Sequence, residues 1–161
     1  MDKHTVTSFD EELEHISRLI RDMGELAGSM VSSATRSLLT ADAGMAQRVV
    51  SEDAVMDARQ RDLDDSAITL IAKRQPMALD LRLVVGAIRM AADLERIGDL
   101  AKNIAKRVGA VGQASMPKGL SHSIEAMSDM VLHQVEGVID AYLKRDANRL
   151  VQLRDDDEKI D

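Results

Sequence analysis

The sequence predicts an all-α protein of long up-and-down helices, arranged as tandem three-helix bundles. Three observations predict this fold class. The chain of 161 residues contains one Phe, one Tyr and no Trp, although 45% of it is hydrophobic, and β-sandwiches and barrels draw heavily on aromatic and β-branched residues. Two Pro and nine Gly leave few turns, and apolar residues recur at the three- and four-residue steps of amphipathic helices.

Composition also excludes several classes of function. The chain has no Cys, which excludes disulfides, thiolate metal sites and cysteine nucleophiles. Its net charge of −7 argues against nucleic acid as the main ligand, because phosphate contacts need clustered cations. The polar stretch Met1–Asp10 is not a secretory signal, and no apolar run approaches the ~20 residues of a membrane span. We therefore expect a soluble cytoplasmic protein.

The first predicted helix begins at the capping-box spacing of Ser8 and Glu11 and runs to about Leu39. Its apolar stripe is regular and predicts one buried face. The stripe comprises Leu13, Ile16, Ile20, Met23, Ala27, Met30, Ala34 and Leu38.

The second predicted helix is capped by Asp42 and ends near Gln75 and Pro76, because Pro lacks a backbone donor and biases the preceding residue away from helix. Its stripe comprises Val49, Met56, Leu63, Ala67 and Leu70.

The third predicted helix spans about 77–108 and changes character along one side. One stripe stays apolar throughout, and the opposite face turns from apolar to Glu95, Asp99 and Asn103. We expect the continuous stripe to be the packing face. That stripe comprises Leu83, Ala87, Met90, Leu94, Ile97, Ala101, Ile104 and Val108.

An internal repeat organises the chain. Shifting the sequence by 104 residues places 16–57 on 120–161 with nine of 42 positions identical, including the loop residues Asp42 and Asp146. The repeat predicts a complete three-helix bundle over 1–111, a linker over 112–119 and the first two helices of a second bundle over 120–161. Asp146 would cap the last helix, which we expect to reach the final residue.

The second bundle is expected to lack its third helix, which would begin near position 181 by the repeat. An apolar stripe on its first helix would then lose part of its cover. An exposed stripe of this kind usually finds a partner, so we expect a homodimer or a swapped arrangement. The stripe comprises Leu120, Ile124, Met127 and Val131.

Two pairs of carboxylates point to metal chemistry. Glu95 and Asp99 are four residues apart on one helix, as are Asp53 and Asp57 on another, so each pair projects from one face. Asn103 would add a neutral oxygen ligand. Antiparallel packing of the two helices would let the four carboxylates converge, and all-oxygen sites suit hard cations such as magnesium, calcium, manganese or iron.

Ordinary ion pairs are the alternative explanation of these acids. Lys102 follows Asp99 by three residues and Arg61 follows Asp57 by four, and such spacings favour pairs on a solvated helix face. A third carboxylate pair, Asp157 and Asp161, lies at the end of the chain.

Glu12-x-x-His15 has the spacing of di-iron bundles, but it occurs once where those bundles need two such motifs, so a polar helix face is favoured.

Two stretches carry a family resemblance. Residues 75–82 read Gln-Pro-Met-Ala-Leu-Asp-Leu-Arg, and residues 92–105 read Ala-Asp-Leu-Glu-Arg-Ile-Gly-Asp-Leu-Ala-Lys-Asn-Ile-Ala. Both resemble the signature stretches of the PhoU family. A weaker resemblance extends over nearly all of 8–161, including the tandem repeat of spectrin-like up-and-down helices.

The resemblance implies a cytoplasmic regulator and not an enzyme. Family members are accessory regulators of the phosphate-specific ABC transporter and negative regulators of the phosphate-starvation response. They contact the transporter's ATPase subunit and a membrane sensor histidine kinase, touching membrane complexes only peripherally. Some bind metal clusters through a Glu/Asp-x-x-x-Asp motif, which falls here on Glu95 and Asp99; Asp53 and Asp57 are added by geometry alone.

Two other classes of function stay open. A metal-dependent enzyme of the carboxylate-bundle type would need a closed pocket, an open metal position and a general base. A structural helical interaction module would need no metal, and changes at Glu95 or Asp99 would leave its function intact.

Overall fold

The computed structural model describes residues 3–111 and 116–157. These residues form five helices and no strand: α1 (Lys3–Thr40), α2 (Ala43–Arg74), α3 (Leu79–Val111), α4 (Lys118–Lys144) and α5 (Ala147–Asp157). The all-α fold class predicted from composition and periodicity is therefore confirmed.

Helices α1, α2 and α3 form an up-down-up bundle in which each helix packs against the other two. The predicted stripe of α1 forms its centre, where Ile20, Met23 and Met30 are fully buried. The predicted stripe of α2 is buried along its whole length, from Val49 to Leu70. Repetition at three- and four-residue steps keeps these faces turned toward the neighbouring helices.

The predicted helix boundaries of α2 and α5 rest on aspartate caps. Asp42 Oδ1 accepts a hydrogen bond from the Met45 N–H at 2.9 Å, and Asp146 Oδ1 accepts one from the Arg149 N–H at 3.1 Å. These bonds satisfy backbone donors that a helix start leaves unpaired. At the end of α2, Gln75 adopts a left-handed backbone with φ 48° and its N–H bonds the Ile71 carbonyl.

One sequence expectation about helices was wrong, and another was only partly right. The helix predicted to start at the Ser8 capping box begins at Lys3, so Ser8 lies inside a helix. Half of the predicted α3 stripe is buried as expected, but the packing face is rotated so that the other half is only partly buried against the core: Leu83, Met90, Ile97 and Ile104. The buried residues of α3 are Val84, Ala87, Ala91, Leu94, Gly98, Ala101, Ala105 and Val108.

Small side chains explain the rotation of α3. A Cβ at Gly98 would meet Met30 Sδ and Met56 Cγ at 3.4 Å, so α3 approaches both neighbours closely at this point. Alanine and glycine permit that approach, whereas the larger residues of the predicted stripe flank it.

Helix α4 runs antiparallel to α1 and docks on its glycines. Ile139 lies against Gly24, where a Cβ would come within 2.7 Å, and Leu132 lies near Gly28. Helix α5 turns back on α4 and places Leu153 against Gly137. Part of the predicted linker, residues 112–115, lies outside the described residues, and the boundaries 1–111, 112–119 and 120–161 stay a prediction.

Candidate functional site

A charged seam joins α2 to α3 along one side of the bundle. We define the acidic seam as Asp53 and Asp57 of α2 with Glu95, Asp99 and Lys102 of α3. Asp53 interrupts the buried stripe of α2 between Val49 and Met56, and a carboxylate at such a position needs a partner. The position of Asp53 on the core-facing stripe of α2 therefore requires a positively charged or hydrogen-bonding partner.

Lys102 supplies that partner and links the two helices. Its Nζ donates hydrogen bonds to Asp53 Oδ2 at 2.7 Å and to Asp99 Oδ1 at 2.5 Å. The side chains of Lys102 and Asp53 are each only 19% exposed, so water screens their attraction less than at an open surface. The bonds to the two carboxylates raise the pKa of Lys102, which therefore keeps its charge.

The other carboxylates of the seam also act on one another. Burial raises the pKa of Glu95, and the like charges of Asp99, Asp57 and Asp53 raise it further. By contrast, the hydrogen bond from Lys102 lowers the pKa of Asp99. The structure thus brings the four predicted carboxylates into one electrostatic neighbourhood, as antiparallel packing of α2 and α3 requires.

The structure gives positions for the predicted metal ligands but does not arrange them as a coordination shell. Asn103 is exposed, one turn beyond Asp99. In the described ranges, no group of three or more His, Asp or Glu side chains is arranged to hold a metal ion. The metal site at Glu95, Asp99, Asp53, Asp57 and Asn103 stays a prediction.

Of the two ion pairs that the sequence spacing predicted, the structure contains one. Lys102 pairs with Asp99 as the three-residue spacing predicted. Among the ion pairs of residues 9–111 and 116–156, none joins Arg61 to Asp57. Of the terminal pair, Asp161 lies outside the described residues and the Asp157 side chain is not described.

Sequence reasoning missed the long-range contacts between helices. The bond from Lys102 to Asp53 spans two helices, and its signal was a carboxylate on an apolar stripe. Glu12, whose spacing in the sequence relates it to His15, instead accepts two hydrogen bonds from Arg74: Nε to Oε2 at 3.1 Å and Nη2 to Oε1 at 3.0 Å. This bidentate pair joins the first turns of α1 to the end of α2.

An exposed apolar turn connects α2 to α3 at the end of the bundle where Arg74 pairs with Glu12. We define the apolar turn as residues 75–81, in which Met77 is 80% and Leu79 67% exposed and Leu81 is also exposed. Gln75 and Ala78 both have φ 48°, a left-handed conformation that costs a non-glycine residue about 1 kcal/mol or more. Three apolar side chains are thus presented to solvent by a defined backbone.

These features define a class of protein: an all-helical bundle with a charged interhelical seam and an exposed apolar turn. The PhoU domain model matches residues 20–108 of the chain. The chain belongs to the PhoU family, as its two signature stretches indicated. These stretches include the apolar turn and all of the α3 residues of the acidic seam.

Curated relatives match along the full chain. A "Phosphate-specific transport system accessory protein PhoU homolog" from Rhizobium meliloti (strain 1021) is 45% identical over 158 residues, covering 98% of this chain and 67% of the relative. A protein of the same name from Caulobacter vibrioides (strain NA1000 / CB15N) is 39% identical over 161 residues, covering 100% of this chain and 70% of the relative. The chain thus spans 67–70% of the length of these relatives.

Solved structures share the fold. The crystal structure of PhoU from Pseudomonas aeruginosa matches with a TM-score of 0.83 and 32% identity, covering 89% of this chain and 69% of that one. The phosphate transport system regulatory protein PhoU from Streptococcus pneumoniae matches with a TM-score of 0.86 at 24% identity, covering 94% and 70%; this second match supports the fold alone. Within the described residues, none of the helices combines the length and apolarity that crossing a membrane requires.

Proposed function

We propose that this protein is an accessory protein of phosphate-specific transport, acting in the cytoplasm as a regulator and not as an enzyme. Identities of 45% and 39% along nearly the whole chain, to relatives named for that role, carry the proposal. The finer role follows the family resemblance: negative regulation of the phosphate-starvation response. Its partners would be the ATPase subunit of the phosphate ABC transporter and a sensor histidine kinase, with peripheral contact to membrane complexes.

The apolar turn is the surface we assign to the ATPase subunit. Exposed apolar side chains grouped on one surface mark protein contacts, and Met adapts its shape to the partner it meets. Met77 and Leu79 project beside the end of α2, which the Arg74–Glu12 pair ties to α1. A turn tied to the bundle in this way loses less conformational entropy on binding than a free loop would.

Binding of the purified ATPase subunit tests this role. The double variant Met77→Asp/Leu79→Asp should weaken binding at least tenfold, a change of about 1.4 kcal/mol. The control is Ile68→Asp, which places one such negative charge at a residue of α2 that is also well exposed. The control should bind as the wild type does, since Ile68 lies outside the apolar turn.

Two outcomes would contradict the proposal. If the wild type does not bind the ATPase subunit, the accessory role with this partner is wrong. If all three proteins bind equally, the role survives but the assignment of the apolar turn fails. Phosphatase activity or oxygen consumption that follows bound metal would instead favour the enzyme alternative.

A hard metal ion such as iron, manganese or magnesium is the second proposal, placed on the acidic seam. The donor chemistry suits it, because carboxylate oxygens are the preferred ligands of these ions. The like charges that raise the pKa of Glu95 also mark a surplus of negative charge there. We expect Mn²⁺ to titrate onto the wild type and not onto Glu95→Ala/Asp99→Ala, and equal binding by both would exclude these residues.

A homodimer is the third proposal, because apolar side chains of α4 and α5 stay uncovered. Leu120 and Met127 of α4 and Leu150 and Val151 of α5 are all exposed. A second copy would cover them by apolar association. Sedimentation at rising concentration should show a dimer that Met127→Glu weakens, and a stable monomer of the wild type at high concentration would contradict it.

A further inference from the structure

We infer that the groove between α3 and α4 is a docking site for an acidic, amphipathic helix of another protein. We define the α3–α4 groove by its apolar lining, which comprises Met90, Leu94 and Ile97 of α3 with Val135 and Val138 of α4. The groove shares no residue with the apolar turn or the acidic seam, so the inference goes beyond the function proposed above.

The shape of the groove carries the first step. In the described part of the chain, α3 and α4 both pack on α1 but not directly on each other, so a trough of about 400 Å³ stays open between them. Met90, Ile97 and Val138 are only partly buried there. A trough lined by apolar side chains between two helices suits the apolar face of a third helix.

A row of arginines along one edge of the groove carries the second step. Arg82, Arg89 and Arg96 are seven residues apart on α3, which places them on one edge of the helix, about 10 Å from one to the next. All three are exposed, and Arg89 lines the groove itself. The ion pairs formed by the described side chains include none of the three. The row therefore presents cations that the described chain does not neutralise.

The charges near the row set the sign of the partner. The charged residues that line the groove are Arg89 and Asp93, and the lining residues of α4 are uncharged. With Arg82 and Arg96 on the same edge, positive charge exceeds negative charge there, in a chain whose net charge is −7. Carboxylates at seven-residue spacing on an incoming helix would meet the arginines in register, and each arginine can bond a carboxylate through two parallel hydrogen bonds.

A helix fits these features better than an anionic lipid surface does. A flat membrane would reach the exposed arginines but would leave the apolar floor of the trough unfilled. The α4 wall also holds Gln134, whose Nε2 has no hydrogen-bond partner in the described part of the chain. A buried donor without a partner costs free energy, and an acceptor on an incoming helix would relieve that cost.

Binding of a synthetic helical peptide, measured by fluorescence anisotropy, tests the charge of the site. The probe has about three heptads, with Glu at seven-residue spacing beside a stripe of Leu, and a second peptide carries Lys in place of Glu. Arg89→Glu should bind the Glu peptide at least tenfold more weakly than the wild type and should bind the Lys peptide more tightly than the wild type does. The matched control is Arg61→Glu, the same change at an exposed arginine of α2, which should leave both affinities unchanged.

A second pair of variants tests the trough and not its charge. Gly86 lines the groove, and a Cβ there would meet nothing within 4 Å, so Gly86→Leu should fold and fill the trough. It should weaken binding of the Glu peptide at least tenfold. Gly109→Leu adds the same side chain at another open glycine of α3, outside the groove, and should bind as the wild type does.

Four outcomes would overturn the inference. The wild type might as well be replaced by Gly86→Leu if both bind the Glu peptide equally, and a wild type that binds neither peptide, or both alike, has no acidic-helix site. Binding to phosphatidylglycerol vesicles that Arg89→Glu weakens and Gly86→Leu does not would assign the arginines to a membrane surface. A dimer that Gly86→Leu abolishes and Gly109→Leu retains would assign the groove to a second copy. None of these results bears on binding of the ATPase subunit at the apolar turn, so the two proposals fail separately.

Discussion

Helices α1 and α4 carry the same apolar pattern, but the two helices differ in how much of it is buried. The 104-residue repeat aligns Ile16 with Leu120 and Met23 with Met127. Both residues of α1 are fully buried, whereas Leu120 is 51% and Met127 50% exposed. Helix α1 packs against α2, α3 and α4, while α4, in the described part of the chain, packs against α1 and α5. Periodicity thus specifies which face is apolar, and neighbouring helices decide whether that face is buried.

This difference in burial gives α1 and the first half of α4 different contributions to stability. The α1 stripe removes apolar surface from water at roughly 25 cal/mol per Å², so it stabilises the bundle. The first half of α4 contributes less to folding, because Leu120 and Met127 of its stripe stay exposed in the described part of the chain. A region that stabilises the bundle and a region that stays exposed therefore share one apolar sequence pattern.

The largest effect should come from truncating the two aligned methionines. Met23→Ala should lower the free energy of unfolding by about 2–5 kcal/mol, because it leaves a cavity in a fully buried site. Met127→Ala should change it by about 0.5 kcal/mol or less, as is usual at exposed positions. Urea unfolding of the two variants measures both values, and similar losses would refute the assigned difference in burial.

A smaller effect should distinguish glycines at and away from the α1–α4 contact. A Cβ at Gly24 would come within 2.7 Å of Ile139, whereas at Gly86 of α3 nothing lies within 4 Å. Gly24→Ala should therefore destabilise the docking of α4, with overpacking of about 1–3 kcal/mol partly offset by helix propensity.

Gly86→Ala should instead stabilise the protein by about 0.5–1 kcal/mol, because alanine favours the helix and meets no neighbour. Thermal unfolding together with limited proteolysis of α4 would report both changes. Gains in stability from both substitutions would mean that α4 does not lie on Gly24.

The smallest effect should be the pH dependence of the Arg74–Glu12 pair. The hydrogen bond from Arg74 lowers the pKa of Glu12 from its ordinary 4.5. A carboxyl whose pKa is lower in the folded state adds stability above its unfolded pKa and loses it as the pH falls through the folded pKa. Arg74→Gln should thus cost stability at pH 7, and the cost should shrink as the pH falls below 4.5.

The control for that pair is Arg107→Gln, an exposed arginine of α3. Its effect on the unfolding free energy should stay small and show no comparable loss in the same acidic range. A cost of Arg74→Gln that is the same at pH 7 and pH 3 would show that the pair with Glu12 does not contribute to stability.

Local signals predicted much of the fold. Asp42 and Asp146 were recognisable as caps because a cap needs only its own side chain and the next turn of backbone. The stripes of α1 and α2 were recognisable because large apolar residues repeat on them. In α3, small residues pack at the centre and large ones flank them, so hydropathy alone selected a face that was rotated from the true one.

Less of the candidate site could be predicted, because its contacts cross between helices. The spacing of Asp99 and Lys102 predicted their pair, and the position of Asp53 predicted a need for a partner. Nothing local specified that one lysine would serve both carboxylates. The exposure of Met77 and Leu79 depends on two left-handed residues that no periodicity rule anticipates.

Amide hydrogen exchange tests the central claim most directly, because it measures protection of α1 and α4 in one molecule. At low protein concentration, amides around Met23 should exchange only with global unfolding, while those over 118–130 should exchange much faster. Protection over 118–130 should rise when the concentration is high enough for a second copy to cover Leu120 and Met127. Equal protection of the two helices at low concentration would contradict the division into a stabilising region and an open one.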